Sequence, residues 1–379
     1  MTYLDHAATS PMHPLVIEKM TQVMQATFGN PSSIHHYGRK AHTELENARQ
    51  VIADALAVKA HEVIFTSGGT ESDNTALIET AWAKKDQGKH IITTAIEHPA
   101  ILNTAHYLEQ MGFEVTYLPV DSKGQLSVDS VAAALREDTI LVSVMTANNE
   151  TGNLLPIRAI GELLKGHPAL FHTDAVQAFG KVPVHPYENG VDLLSVSAHK
   201  FNGPKGIGFL YRKDGLRSPS FMHGGEQEEK RRAGTENLAA ICGMAQAIKL
   251  LSSEVQAENQ EKYARFSQIV LQTLDNADIC YQLNGDPEHK MSHLLNLRLA
   301  DVPNDLLLLH LDLKGFAIST GSACTAGNVD PSHVLQAMYG KTDEKIHQSV
   351  RISFGYGNTT EEIEQFAQTL VTVIKNLKR

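Results

Sequence analysis

The chain has 379 residues, of which 42% are hydrophobic, 20% charged and 6% aromatic, and its formal net charge is −10. This composition excludes disordered, collagen-like and small disulfide-stapled proteins, and an acidic balance without a basic block argues against direct nucleic-acid binding. The length predicts more than one domain.

The N-terminus carries no signal for export or membrane insertion. Residues 1–6 contain no cationic region followed by an apolar core, and no window approaches a membrane-spanning run of uncharged apolar residues. We therefore expect no membrane association.

The first predicted element is an amphipathic helix over residues 39–58, because its apolar positions recur with a helical period. These positions are Ala41, Leu45, Ala48, Ile52 and Leu56.

From residue 62 to about residue 211, short β-rich runs alternate with helical stretches. Strands are predicted over residues 62–66, 91–95, 113–118, 139–145, 170–173 and 192–197. Helices are predicted from Glu71, from Pro99 and over residues 128–136. The last three strands are nearly continuous apolar runs, which is typical of strands buried on both faces of a parallel sheet. The pattern predicts an α/β fold with a largely parallel, mixed sheet.

The pattern changes after Gly224-Gly225. A long helical region over residues 237–277 is predicted to connect the two parts of the chain. Further strands are predicted over residues 293–299, 316–320 and 350–354, with helices over residues 304–313, 331–339 and 360–378. These elements predict a smaller α+β domain. We divide the chain into an N-terminal segment joining the small domain (1–15), a large α/β domain (16–250) and a small C-terminal domain (251–379).

A turn of small residues joins the strand predicted over residues 62–66 to the helix predicted from Glu71. Residues 66–72 read Thr-Ser-Gly-Gly-Thr-Glu-Ser. Glycine allows backbone N–H groups to approach an anion, a helix N-terminus favours negative charge, and the Ser67 and Thr70 hydroxyls add donors. The segment is a candidate phosphate site, although taken alone it is equally typical of a capped strand-to-helix turn.

Two more groups of polar residues follow buried strands. Asp174 and Gln177 come after the strand over residues 170–173, where the active sites of open α/β sheets lie, although an aspartate there is also a common helix cap. Lys200 follows the strand over residues 192–197 directly. A lysine in that position is readily desolvated, which suits Schiff-base chemistry, although a surface lysine at a strand end is the alternative.

A phosphate site, an acid and a later lysine form the set that a pyridoxal phosphate enzyme requires. The motifs at residues 66–74, 97–98, 148–150, 174–177, 197–200 and 231–235 resemble the cysteine desulfurases of the NifS/IscS type. The resemblance extends from residues 3–9 to residues 350–354. It implies a pyridoxal phosphate-dependent transferase of fold type I that converts L-cysteine to L-alanine.

The resemblance implies cofactor roles at matching positions. Lys200 would hold the cofactor through its amine and act as a base, while Asp174 would pair with the pyridinium nitrogen. Gln177 would bond the ring oxygen, and His98 would stack on the ring and handle protons. The positions matching the phosphate end are Gly69, Thr70, Ser197 and His199.

Substrate and partner roles follow in the same way. Asn149 matches an asparagine near the cofactor and the substrate carboxylate, and Arg351 matches the arginine that clamps that carboxylate. Thr235 matches a threonine donated across a dimer interface to the neighbouring subunit's phosphate. The resemblance therefore implies a homodimer.

The three cysteines differ in their surroundings. They are odd in number and far apart, which fits neither a disulfide framework nor a C-x-x-C metal site and predicts a reducing, cytoplasmic location. Cys242 and Cys280 are expected to be buried small hydrophobes. Cys324 lies in a small, polar, glycine-flanked segment typical of an exposed loop. Its Gly-Ser-Ala-Cys-Thr context resembles the persulfide loop of the NifS/IscS group, so Cys324 would take the sulfur as a persulfide.

The sequence is also compatible with two other functions. A selenocysteine lyase or another class V aminotransferase-family enzyme shares the lysine and the aspartate, and a catalytically silent partner-binding protein shares the fold. The expected sulfur acceptor is a protein, either an iron–sulfur scaffold or a tRNA-thiolating enzyme. The chain ends at Lys378-Arg379 without the longer tail that the resemblance associates with scaffold docking, so the acceptor is left open. No metal site is expected.

Overall fold

The computed structural model of the chain describes residues 1–320 and 331–378. Its strands are β1 (Thr2–Tyr3), β2 (Val63–Thr66), β3 (His90–Thr94), β4 (Glu114–Leu118), β5 (Thr139–Ser143), β6 (Leu170–Asp174), β7 (Leu193–Ser197), β8 (Gly208–Arg212), β9 (Tyr281–Leu283), β10 (Leu294–Leu299), β11 (Phe316–Ala317) and β12 (Ser349–Ser353). Its helices are α1 (Pro14–Ala26), α2 (His36–Leu56), α3 (Gly69–Lys84), α4 (Pro99–Gln110), α5 (Val128–Ala134), α6 (Ile157–Leu163), α7 (Gln227–Lys230), α8 (Leu238–Lys249), α9 (Ser253–Asn276), α10 (Asn304–Leu313), α11 (His333–Tyr339) and α12 (Thr360–Leu377).

Seven strands form the large sheet, in the order β2-β8-β7-β6-β5-β3-β4. Strand β8 is antiparallel to both of its neighbours, whereas the pairs from β7 to β4 are parallel. Every residue of β3, β5 and β7 is buried, as expected for strands covered on both faces. The predicted α/β fold with a mixed, largely parallel sheet is confirmed.

The amphipathic helix predicted over residues 39–58 is α2, which starts slightly earlier, at His36. The His35 ring accepts a hydrogen bond from the Gly38 N–H, and the helix ends where Ala57 adopts a left-handed conformation. All five predicted apolar positions are buried in the core beside the large sheet. The period of the apolar residues therefore identified the correct face.

A second apolar core lies among the C-terminal elements. Strands β12, β10 and β9 form an antiparallel sheet in that order, and the core beside it includes Phe266, Leu295, Ile352 and Phe366. The N-terminus reaches this region, because β1 pairs with β11 and Leu4 belongs to the same core. The division of the chain at residues 15 and 250 stays a prediction.

The helical region predicted over residues 237–277 consists of two helices. Helix α8 ends at Lys249, and the Ser252 hydroxyl caps α9 by accepting a hydrogen bond from the Val255 N–H. The two axes meet at 74°. No single helix in the described part of the chain has the length and apolar character of a membrane span, and only this bent pair, taken together, meets those two criteria.

A buried ion pair fixes α2 to the edge of the large sheet. Arg49 donates to both carboxylate oxygens of Glu228 at 2.7 and 2.8 Å, and each residue is 6% exposed. Glu228 also accepts from the Phe65 N–H at 3.0 Å. Glu228 begins three successive residues of positive φ in α7, a rare conformation that this ion pair holds in place.

We expect Glu228→Ala to lower the free energy of unfolding by about 2–3 kcal/mol, because it removes the buried carboxylate of the pair and leaves Arg49 with only the partly exposed carboxylate of Glu46. Urea denaturation at fixed protein concentration measures the change. The matched control is Asp214→Ala, which removes an exposed ion pair with Lys59 and should leave stability nearly unchanged. Equal effects of the two substitutions would contradict this role for the buried pair.

Candidate functional site

The predicted acid and lysine lie at the same edge of the large sheet. Asp174 is the last residue of β6 and Ser197 the last residue of β7, and these neighbouring strands are parallel. Lys200 ends a single helical turn that follows β7 directly. Because parallel strands present their carboxyl ends together, the two motifs meet although they are distant in sequence.

The N-terminal segment holds Lys200 in place. The Lys200 ammonium donates hydrogen bonds to the carbonyl oxygens of Ala7 at 2.6 Å and Ala8 at 2.9 Å. Burial lowers the pKa of Lys200 to about 8, and repulsion from the Arg351 guanidinium adds to the effect. A substantial fraction of the amine is therefore neutral near physiological pH, as a base or nucleophile requires.

Asp174 is buried beside this lysine. One carboxylate oxygen accepts a hydrogen bond from the Val176 N–H at 2.8 Å. Burial raises the pKa of Asp174, and that hydrogen bond and the Lys200 ammonium oppose the rise. A cationic N–H donor stabilises the charged form of a buried carboxyl group, so Asp174 fits a protonated pyridine nitrogen.

Two side-chain amides each present a buried, unused acceptor oxygen at the site. Gln177 donates to the Ala7 carbonyl oxygen at 2.9 Å, but its own side-chain oxygen has no hydrogen-bond partner among the described residues. The side-chain oxygen of Asn149 is likewise buried without a partner there. Buried polar atoms are normally paired, so both amides fit a site that a polar ligand completes.

In the candidate phosphate site at residues 66–72, the absence of a side chain lets the backbone at Gly69 pack closely against Val176 and Ser197. Gly68 precedes α3 with φ +151°, and a Cβ atom at Gly69 would lie 2.7 Å from the Val176 side chain. The same Cβ would be 3.7 Å from the Cβ of Ser197, so the turn and the end of β7 are in contact. Thr70 is exposed on the first turn of α3. The structure thus brings Gly69, Thr70 and Ser197 together at a helix N-terminus.

Both histidines assigned to the site are neutral at physiological pH. Burial lowers the pKa of His98 and of His199 to about 4 each, and repulsion from Lys200 contributes to both shifts. His98 caps α4 by accepting a hydrogen bond from the Ala100 N–H at its Nδ1, so the proton of the neutral ring is on Nε2. His199 Nδ1 lies 3.0 Å from the Thr9 hydroxyl.

Arg351 and Asn149 form the far side of the site. Arg351 is 2% exposed on β12 and pairs with the Asp5 carboxylate at 2.8 Å. Its guanidinium also donates to the Asn149 backbone carbonyl at 2.8 Å. These fixed partners orient the guanidinium, as a carboxylate-binding arginine requires.

Two buried acids, Asp73 and Glu97, lie next to the site; both belong to motifs that carry the resemblance, but the sequence assigned neither a role. Asp73 is 1% exposed on α3, and burial together with repulsion from Asp174 raises its pKa well above the usual value. Burial also raises the pKa of Glu97 to about 8, although the Thr94 hydroxyl and the Met145 N–H donate to it. This accumulation of carboxyl groups disfavours a further negative charge and favours a cationic ring beside Asp174.

The burial of the described cysteines agrees with the prediction for Cys242 but not for Cys280. Cys242 is 2% exposed, which confirms its expected burial, and burial raises its pKa to about 11. The expected burial of Cys280 is wrong, because Cys280 is exposed between the end of α9 and the start of β9.

Cys324 lies outside the described residues, and Thr235 is exposed. No cluster of potential metal ligands occurs within residues 1–320 and 331–378.

Known proteins match the chain along its whole length. The family model for class V aminotransferases matches residues 2–366. The putative cysteine desulfurase IscS 1 of Bacillus subtilis is 53% identical over 99% of both chains, and the cysteine desulfurase IscS of Dictyoglomus turgidum is 45% identical over 99% of this chain and 95% of its own.

Solved structures agree with the sequence relatives. A NifS-like protein superposes with a TM-score of 0.92 at 34% identity and 99% coverage of both chains. A structure described as SspA in complex with cysteine superposes with a TM-score of 0.83 at 34% identity, covering 93% of this chain and 99% of its own.

Proposed function

This chain belongs to the class V aminotransferase family and is a cysteine desulfurase that depends on pyridoxal phosphate, and from that premise we propose how its residues divide the reaction. L-cysteine is converted to L-alanine, and Cys324 takes the sulfur. The observation that supports this arrangement best is the convergence of Lys200 and Asp174 with the unpartnered oxygen of Gln177.

Pyridoxal phosphate, when bound, supplies an electron sink for the bonds of the substrate's Cα. Lys200 would hold it, Asp174 would keep its ring nitrogen protonated and Gln177 would bond its ring oxygen. His98 would contribute a stacking ring. Gly69, Thr70, Ser197 and His199 would hold its phosphate.

Lys200 and His98 move protons. The Lys200 amine, whose pKa burial lowers to about 8, takes the proton from the substrate's Cα. His98 presents a protonated Nε2, because its Nδ1 accepts from the Ala100 N–H. This places a hydrogen-bond donor, not a cation, in the site while sulfur leaves.

The sulfur step balances without an external oxidant. The Cys324 thiolate attacks the substrate's Sγ, so that an S–S bond forms while the substrate's Cβ–S bond breaks. The electron pair of the broken bond stays with Cβ, which then gains a proton and becomes the methyl group of alanine. Cys324 is left as a persulfide, and a thiol reductant or an acceptor protein removes its outer sulfur.

Arg351→Lys tests the substrate clamp. The lysine ammonium keeps the charge but loses the planar fork that orients a carboxylate, so we expect the KM for L-cysteine to rise about tenfold or more, with a smaller change in kcat. Steady-state alanine formation measures both constants. Arg298→Lys, on the neighbouring strand β10, is the matched control. An unchanged KM in Arg351→Lys would place the clamp elsewhere.

We also propose that the chain acts as a homodimer in which Thr235 serves the neighbouring subunit's cofactor. Thr235 is exposed, and so are three aromatic or aliphatic side chains between α1 and the start of α2: Phe28 (74%), Ile34 (91%) and Tyr37 (54%). Neighbouring exposed apolar side chains of this size are typical of an interface. Sedimentation velocity should show a species of twice the chain mass, and a monomer would contradict the proposal.

The sulfur acceptor is proposed to be a protein, either an iron–sulfur scaffold or a tRNA-thiolating enzyme. The IscS designation of the relatives supports the first. Transfer of labelled sulfur from the persulfidated chain to each purified acceptor distinguishes them, and retention of the label with both would overturn the proposal. A cytoplasmic location stays a prediction.

A further inference from the structure

A cavity of about 230 Å³ borders Lys200 and shares no other residue with the proposed cofactor and substrate site. Its walls include the segment around Lys181 that follows β6, helix α9, and the segment before β10 that contains Lys290 and His293. Further lining residues come from the N-terminal segment, from the turn after β7 and from the residues that follow β12. The cavity is therefore a separate space that meets the site only at Lys200.

The ionisable side chains that line this cavity are all basic. Lys181, Lys200 and Lys290 line it, and so do His6 and His293, but no aspartate or glutamate does so among the described residues. This is unusual in a chain whose net charge is −10. Buried or half-buried ammonium groups are normally paired with carboxylates.

Two of these lysines lack a counter-ion. Lys290 forms no hydrogen bond or ion pair through its ammonium with any residue of the described ranges, and Lys181 donates only to the Gln177 carbonyl oxygen at 3.0 Å. Burial lowers the pKa of Lys181 to about 7 and that of Lys290 to about 8. An anion in the cavity would restore the favourable charged state of both amines.

The remaining walls indicate the rest of the ligand. Val182, Phe201 and Met291 give apolar surface, which favours a ligand with a carbon body over an inorganic anion. His293 is 2% exposed, and its Nε2 has no hydrogen-bond partner in the described part of the chain. The cavity therefore combines a cationic end, an apolar wall and an unused polar atom.

We propose that this cavity binds a small organic carboxylate, with the carboxylate between Lys181 and Lys290 and the carbon body against Val182 and Met291. Its site is distinct from the one proposed for the substrate carboxylate at Arg351. Because Lys200 forms part of the wall, a bound carboxylate also adds negative charge next to the lysine that the reaction uses.

Isothermal titration of the cofactor-loaded protein with isobutyrate tests the proposal, with isobutyramide as the neutral probe of the same shape. Isobutyrate should bind at one site per chain, and isobutyramide at least about tenfold more weakly, because only the carboxylate forms charge-assisted contacts. Lys290→Met should weaken isobutyrate by a similar factor, whereas Lys314→Met, which changes an exposed lysine outside the cavity, should not.

Val182→Phe provides a second variant, which keeps all three lysines but fills part of the cavity, and it should also weaken isobutyrate. In the unsubstituted protein, isobutyrate should protect Lys290 from acylation by acetic anhydride, as measured by peptide mass spectrometry, and isobutyramide should not. Equal affinity for the two probes, or isobutyrate binding that neither variant changes, would overturn the proposal and place the carboxylate elsewhere, such as at Arg351.

Discussion

Lys200→Ala is expected to lower kcat for alanine formation from L-cysteine by about a thousandfold or more, the scale that a positioned base and nucleophile contribute. Lys200 is the amine that lies beside Asp174, and the Ala7 and Ala8 carbonyl oxygens fix its position. The substitution removes both the attachment point of the cofactor and the base for the substrate's Cα proton.

Two further variants distinguish the loss of the Lys200 amine as a base from the loss of its positive charge. Lys200→Arg keeps a positive charge, but a guanidinium stays protonated at any physiological pH and cannot act as a base, so it should be as inactive as Lys200→Ala. Lys205→Ala changes an exposed lysine five positions later and should retain activity. Alanine is quantified in each case, and near-normal turnover by either Lys200 variant would contradict the assigned role.

Cys324→Ala is expected to abolish release of sulfide from L-cysteine in the presence of a thiol reductant. L-cysteine should still bind, since the residues proposed to hold the cofactor and the substrate carboxylate are unchanged. The spectral change of the cofactor on adding L-cysteine measures binding, and methylene-blue formation measures sulfide. Binding without sulfide is the result that the persulfide route predicts.

The chain supplies a matched control for this experiment. Cys280 is exposed, as an accessible thiol must be, but it lies between α9 and β9 and is not assigned to the site. Cys280→Ala should leave sulfide release unchanged. Loss of activity in Cys280→Ala together with retained activity in Cys324→Ala would move the persulfide to Cys280.

Much of the site was predictable because it depends on strand ends. Apolar runs placed β6 and β7 within a parallel sheet, so Asp174, at the end of β6, and Lys200, just after β7, were expected at the same edge. The helical period of α2 was equally informative, since a one-sided apolar pattern specifies which face is buried.

The contacts that the sequence did not reveal join distant parts of the chain. Nothing local to Lys200 indicates that the carbonyl oxygens of Ala7 and Ala8 accept its hydrogen bonds, and nothing local to Arg351 indicates its pairing with Asp5. The N-terminal segment reaches both through the pairing of β1 with β11. Burial of Asp73 and exposure of Cys280 likewise follow from tertiary packing, which a pattern within one element does not encode.

The most direct test of the account follows the sulfur atom itself. The cofactor-loaded protein is mixed with sulfur-labelled L-cysteine without reductant, free thiols and persulfides are alkylated, and the cysteine peptides are analysed by mass spectrometry. If Cys324 is the sulfur acceptor, one labelled sulfur appears on the peptide that contains Cys324, in step with alanine, and none appears on the peptides of Cys242 and Cys280. Alanine formation with the label on another cysteine, or on none, would contradict this role of Cys324.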